Sequence, residues 1–403
     1  MADGALSGEE RVRFLRLDHD HAVVRKDAMA RIARVLDSQH FVLGPEAEEL
    51  EKTLSELTGA KHAVACSSGS DALLLALKAL GVGAGDAVVV PTFTFFATAG
   101  AVSMAGATPS FVDIAPETLN LGPEQLAQAI GNTLEVSDGR LVERRSGARI
   151  KAIIPVHLYG LPADVAGLSR VLSGIAGLER PPVIVEDAAQ ALAAHNERGR
   201  VGTLGRLACF SFYPTKNLGA AGDAGALTTD DAALAATLGE LRTHGASAGD
   251  YLHAQVGLNA RMGEVQAAYL NAKLPYLAAW TDRRRAIAAS YRRLLAPLVD
   301  DGRLSLPPAD EGQVYHQFTV RPARARDEVQ LRMAEAGVDA RVFYPVPLHR
   351  QPCFAHLGYA ADAFPNADRA SASVLSLPIY PSLTDQQVET VSRALGRAVD
   401  EVA

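Results

Sequence analysis

Between residues 62 and 230 short apolar runs alternate with helix-patterned stretches, and no other feature of the chain restricts its fold so strongly. The runs are "HAVAC", "DAVVVP", "TPSFVDI", "KAIIPVH", "PPVIVED" and "LACFSFYPT", most of them bounded by Pro, Gly or Asp. Continuous hydrophobic runs of this length suit strands covered on both faces, as in parallel sheets. Helical stretches separate most of them, so the expected class is α/β, a mostly parallel sheet flanked by helices. Two helices are expected ahead of the first strand, from "DAMARIARVLDSQH" and "EAEELEKTLSELTGA", whose apolar residues recur at three- and four-residue spacing. Residues 130–149 are polar and turn-rich and read as a surface insertion without recognisable chemistry. From residue 264 the pattern changes to a long helical stretch interrupted at Pro275, followed by an α+β tail. The expected organisation is a large cofactor-binding domain over residues 1–250, with its N-terminal helical segment, and a smaller C-terminal α+β domain over 251–403.

Composition narrows the function. With 48% hydrophobic residues in 403, the chain can bury a sizeable core. A formal charge of −7, with no blocks of Lys or Arg, argues against nucleic acid or an anionic membrane as partner. The three cysteines, Cys66, Cys209 and Cys353, lie far apart without CxxC or His-linked spacing, so neither a disulfide framework nor a zinc site is indicated. The N-terminus carries no apolar signal core, and no stretch of about 18 apolar residues occurs. A soluble, cytoplasmic protein without a metal is expected.

Three segments carry chemistry. "SSGSDALLLAL" runs from a Ser/Gly turn into a helix, with Ser70 or Asp71 placed to cap it, and such a helix start is a ready anion site. "GVGAGD" at residues 81–86 has the wrong spacing for a dinucleotide fingerprint, and no GxxxxGK[ST] is present. "VIVEDAAQALAA" delivers Glu186 and Asp187 at the C-terminal end of a strand, where open α/β sheets place their crevices. Lys216 stands 29 residues beyond Asp187, after another strand-like run. An anion cradle, a strand-end carboxylate and a lysine are the parts needed to hold pyridoxal phosphate: one for the phosphate, one for the protonated pyridine nitrogen, one as Schiff-base amine.

With these segments in order, the chain resembles the DegT/DnrJ/EryC1/StrS family of pyridoxal-phosphate sugar aminotransferases, within the fold-type-I superfamily. The similarity runs from about residue 15 to 395 through "FVLGPEAEELE", "VVPTFTFFATA", "IIPVHLYG", "FSFYPTKNLGAAGDAGALTTD", "GLNARMGEVQAA" and "YPVPLHRQPCF". The resemblance implies that Lys216 forms the Schiff base and shuttles the proton, with Asp187 against the pyridine nitrogen and Gln190 near the phenolic oxygen. Phe95 would stack on the ring. Gly69, Ser70 and Ser211 would hold the phosphate, and Asn259 would reach it from the partner subunit of a homodimer. The implied reaction moves an amino group from an amino acid, expected to be L-glutamate, to a nucleotide-linked keto-sugar, with pyridoxamine phosphate formed during turnover.

His157, Arg261 and His349 are the candidate substrate contacts, each with a structural alternative: a hydrogen-bonded core histidine, an interface salt bridge, a loop residue. The context of Lys216 resembles the branch that aminates C3, with C4 the alternative. Thr215 and Ala224 depart from the glycines usual in the family, and each is expected to add bulk beside the cofactor. A non-catalytic regulatory protein retaining the fold is the alternative from another class. An NAD-linked oxidoreductase would need the fingerprint that is missing.

Overall fold

The computed structural model describes residues 11–247 and 251–402. In chain order the strands of the first part are β1 His62–Cys66, β2 Asp86–Pro91, β3 Thr108–Val112, β4 Leu134–Ser137, β5 Arg140–Glu143, β6 Arg149–Ile153, β7 Val183–Asp187, β8 His195–Asn196, β9 Gly199–Arg200, β10 Leu207–Ser211 and β11 Gly225–Thr229. The central sheet has the order β1-β11-β10-β7-β6-β2-β3. Strands β10, β7, β6, β2 and β3 run parallel, whereas β11 is antiparallel to both β1 and β10.

Every residue of β2 and of β11 is buried. Alternate side chains feed opposite layers, as the pleat requires: Val88 and Val90 pack with Leu73 to Leu77 of helix Gly69–Ala79, and Val89 packs with Leu126 and Leu168 on the other face. A continuous apolar run is therefore what a strand buried on both faces needs.

Residues 130–149 correct the expectation of a surface insertion. They end helix Pro123–Asn132 and then form the β4–β5 hairpin, whose β5 joins β6 at Val142 and Arg149. Leu134 and Leu141 are fully buried with Ile150 and Leu168. The tip is Asp138-Gly139, both at positive φ (49° and 69°), a two-residue hairpin signal that the surrounding polar residues obscure.

A second core gathers Ile287, Tyr291, Phe318, Val320, Leu377 and Leu395 around a small antiparallel sheet of β12 Leu304–Ser305, β13 Phe318–Pro322 and β14 Leu375–Leu377. Val12 joins it from the other end of the chain, paired by backbone with Val338. Helix Glu264–Lys273 instead packs Ala267 and Leu270 into the sheet's core beside Phe210 and Phe212. The expected break at Pro275 is a 3-10 turn, Leu274–Tyr276, leading into helix Leu277–Asp300. Leu277 belongs to the first core and Ile287 to the second. We propose dividing the chain along that helix rather than at residue 251.

One buried carboxylate ties the two ends of the first domain together. Glu264 is 1% exposed and accepts the backbone N–H groups of Gly44 (2.9 Å), Glu46 (2.8 Å) and Ala47 (3.1 Å), so it serves the open start of helix Pro45–Thr58 from across the fold. Negative charge at a helix N-terminus is favourable and the donors have no intrahelical partner. Glu264→Ala leaves three donors buried and unpaired, and a loss of about 3 kcal/mol is expected from urea unfolding of the cofactor-free protein.

Candidate active site

The parallel strands end on one side of the sheet, and β7 brings Asp187 there. Adjacent side chains on a strand point oppositely, so the two acids of "VIVED" have different fates. Glu186, fully buried, turns away from Asp187 and accepts N–H bonds from Gly202, Leu204 and Gly205 as well as from His157 Nε2 at 3.0 Å. Asp187 is 5% exposed; Thr98 Oγ1 donates to its Oδ2 at 2.8 Å and the Ala189 N–H to its Oδ1 at 3.2 Å. Burial pushes its carboxyl above the usual range, and those two hydrogen bonds and the Lys216 charge pull it back. A cationic ring N–H set against it would favour the carboxylate further.

Gln190, on the turn after β7, is buried with its amide fixed at both ends. Its Oε1 accepts the Tyr159 N–H at 2.6 Å and its Nε2 donates to the Tyr344 hydroxyl at 3.1 Å. Tyr344 lies 6.0 Å from Phe93 and 6.2 Å from Phe95, ring centre to ring centre. Phe95 is 56% exposed, so it is no core residue and offers a free aromatic face.

Lys216 sits in a loop closed at its base by the Phe212 N–H to Ala224 carbonyl bond at 2.8 Å, and the Lys216 N–H returns to the Tyr213 carbonyl at 2.8 Å. Within it the turn closes so tightly that a side chain on Gly219 would stand 2.2 Å from the Pro214 carbonyl. Burial pushes the Lys216 ammonium down to about 8, opposed by the charge of Asp187. A lysine neutral this near neutrality is suited to Schiff-base chemistry.

The anion cradle follows from close packing. Helix Gly69–Ala79 starts at Gly69, and its cap is Ser68, which accepts the Asp71 N–H at 3.0 Å; the cap is neither Ser70 nor Asp71 as the sequence suggested. Asp71 instead accepts from the hydroxyls of Ser67 and Ser68. The first-turn N–H groups of Gly69 and Ser70 lie ahead of the helix's own hydrogen bonds. A Cβ on Gly69 would fall 2.6 Å from Ser211 Cβ, and one on Gly225 would fall 2.3 Å from the Ser68 carbonyl. Only glycine lets the helix start close onto Ser211 and β11. The cradle, the buried Asp187 and the depressed Lys216 fit a phosphate, a pyridinium and an aldehyde respectively.

Asn259 and Arg261 stand together at the end of β1, where the Ser67 N–H reaches the Ala260 carbonyl at 3.0 Å. Arg261 Nη2 donates to Asn259 Oδ1 at 2.7 Å; Asn259 is exposed, whereas Arg261 is half-buried between the buried Ala260 and Met262. His157 is a correction: it is 0% exposed, Nδ1 accepts the Ala163 N–H at 2.9 Å and Nε2 is engaged by Glu186, so it holds the fold and has no free atom for a substrate. His349 is buried against Phe364 and 3.5 Å from Asp368 Oδ1. Ala224 is a second correction, since its methyl is 1% exposed inside the core beside Phe212 and adds no bulk to a pocket. Thr215 does line one, a cavity of ≈ 490 Å³ shared with Arg13, Arg284, His316, Gln317 and Arg341.

Sequence reasoning missed Thr98, Tyr344 and His316. Thr98 lies inside "FFATAG" with no polar neighbour to mark it; Tyr344 and His316 lie in the quoted "YPVPLHRQPCF" and in "HQFTVRP", from parts of the chain that only folding brings near Lys216.

The model of the DegT/DnrJ/EryC1/StrS aminotransferase family matches residues 23–396. The chain belongs to that family. Among similar curated proteins is the pleiotropic regulatory protein of Geobacillus stearothermophilus, 42% identical, covering 94% of this chain and 96% of that one. Another is the UDP-N-acetyl-3-dehydro-α-D-glucosamine 3-aminotransferase of Acidithiobacillus ferrooxidans, 42% identical, with 94% and 95% covered. The solved structure of DesV from Streptomyces venezuelae, in complex with a ketimine intermediate, is 39% identical, covers 97% of this chain and 99% of its own, and superposes with a TM-score of 0.87. This family member is an aminotransferase that uses pyridoxal phosphate. Among the described residues no helix is long and apolar enough to cross a membrane.

Thr98→Val removes the donor to Asp187 at nearly constant volume, so kcat is expected to fall on the order of tenfold, read from initial rates at saturating cofactor and substrates. Capture of added cofactor by the cofactor-free protein should quicken as pH rises through about 8, because deprotonation of Lys216 there creates the nucleophile; stopped-flow absorbance at several pH values reads the midpoint. The same shift works against the fold when Lys216 is charged, so its contribution to stability should improve with pH between about 8 and the ordinary lysine value of 10.5.

Proposed function

We propose that the enzyme transfers the amino group of an amino acid, L-glutamate, to C3 of a nucleotide-linked keto-sugar, acting in the cytoplasm in the making of amino sugars for surface polysaccharide or a glycosylated metabolite. The observation that carries the reading is the pairing of a buried Asp187 with a lysine whose ammonium is pushed down to about 8. Lys216 Nζ takes the proton from the amino-bearing carbon of the donor and later returns one to the carbon of the sugar. Asp187, held by Thr98, would hold its carboxylate toward the pyridine nitrogen of bound cofactor, Gln190 would meet the phenolic oxygen, and Gly69, Ser70 and Ser211 would hold the phosphate. Bound pyridoxal phosphate supplies the electron sink for the carbon that loses its proton. Choice of C3 rests on the sequence around Lys216 and on the C3 activity in the name of the A. ferrooxidans relative.

A homodimer completes the site in this reading. Phe41, Tyr251, Leu252 and Val256 are exposed large apolar residues, the kind of surface a second copy covers. Asn259 would then reach the neighbouring cradle. The name of the Geobacillus relative keeps a regulatory role beside catalysis as a second reading.

The deciding experiment loads the enzyme with the amine from glutamate and offers 3-keto and 4-keto nucleotide sugars in turn. A 3-keto sugar should restore the cofactor's visible absorbance in a single turnover, and Lys216→Ala should abolish the response. A wild-type rate in the alanine variant, or a response to 4-keto sugars alone, overturns the assignment to that extent.

A further inference from the structure

Beside Thr215 lies the ≈ 490 Å³ cavity that the reading above leaves unused. Its walls come from distant parts of the chain: Arg13 from the segment before the first helix, Thr215 from the catalytic loop, Arg284 from helix Leu277–Asp300, His316 and Gln317 ahead of β13, and Arg341. Three of these are guanidinium groups. The one acid on the walls, Asp339, is already matched, because Arg11 Nε and Nη2 both donate to its Oδ1. The cavity is therefore a net cationic space one residue from the nucleophile.

Two deeply buried polar groups on its walls lack partners. Arg284 is 4% exposed, with Nη1 on the Ile379 carbonyl at 2.6 Å and Nε unmatched; Gln317 is 7% exposed with Oε1 unmatched. His316 is set for a fixed role as well. Asn217 Nδ2 donates to the Val314 carbonyl at 3.0 Å, which turns Asn217 Oδ1 toward His316 Nδ1 at 3.3 Å. Nδ1 then carries the proton and Nε2 remains an acceptor. The charge of Lys216 is felt at His316 and, after burial, is the next cause of its lowered basicity, so this wall stands close to the reacting amine.

We propose that this cavity seats a carboxylate of the reacting substrate, with Arg13 and Arg341 as the residues that select for it. The fork of an arginine matches a carboxylate in two parallel hydrogen bonds, and two forks approaching from separate segments fix its direction as well as its charge. Among the described residues neither arginine makes an ion pair with a carboxylate, unlike Arg11 and Arg350. The carboxylate has two chemical sources, the side-chain carboxylate of an acidic amino-acid donor and an acidic keto-sugar of the hexuronate type. The inference rests on the aminotransferase reading.

The test separates the sources by half-reaction. Arg13→Gln, Arg341→Gln and the double variant, each as holoenzyme, are given L-glutamate or L-alanine, and loss of the cofactor's visible absorbance is followed. In the second arm each protein, loaded directly with pyridoxamine phosphate, is given a UDP-linked 3-keto-hexuronate or its neutral 3-keto-hexose counterpart. The expected result is that the double variant's preference for the acidic partner, as a ratio of kcat/KM values, falls about tenfold or more in at least one arm. A fall in the first arm names the donor as the source, and a fall in the second names the sugar. Smaller changes in both arms, including equal losses for acidic and neutral partners, overturn the proposal. If the wild-type enzyme aminates no keto-sugar from any donor, it is the aminotransferase reading that fails, and that outcome is seen before any variant is compared.

Discussion

The structure turns on a carboxylate placed where water cannot reach it. Asp187 is carried to the end of β7 between parallel neighbours, and burial alone would push it toward its neutral form. Thr98 and the Ala189 N–H hold it back from that, and Lys216 supplies the nearby positive charge. The same burial pushes Lys216 the other way, toward a free amine. Burial thus prepares an acid to meet a cation and a base to meet a carbonyl. Each shift has the same cause, the cost of keeping charge out of water.

Around that pair the backbone does the work that side chains do elsewhere. Gly69 and Gly225 let the start of helix Gly69–Ala79, Ser211 and β11 come within reach of one another, closer than any Cβ allows. The approach of these segments is therefore set by contact distances between strands and a helix, while Glu264 braces the start of helix Pro45–Thr58.

Much of this was legible in the order of residues. β-Branched runs and their spacing announce a covered parallel sheet, and β2 and β11, buried along their whole length, show why alternation is absent. Lys216, Asp187 and the Ser/Gly turn announce the cofactor. Other features were not readable. The Asp138-Gly139 hairpin was hidden by polar flanks although Leu134 and Leu141 reach the core. Ala224 looked like bulk beside the cofactor and proves to be buried in the core with Phe212. His157 looked like a cleft residue, and both its ring nitrogens turn out to be taken.

By itself the sequence determined the fold class and the family, and it singled out Lys216 and Asp187 as candidates, because periodicity and a few chemically singular residues are local properties of the chain. Only the tertiary structure shows what parts the two adjacent acids: pleating sends Glu186 to the loop at 202–205 and Asp187 to Thr98. It also decided which arginines share a cavity with Thr215, since Arg13, Arg284 and Arg341 are hundreds of residues apart along the chain or on separate elements. Electrostatics and sterics act through space. A linear chain records which groups are available, and packing settles which of them are near enough, and dry enough, to act on one another.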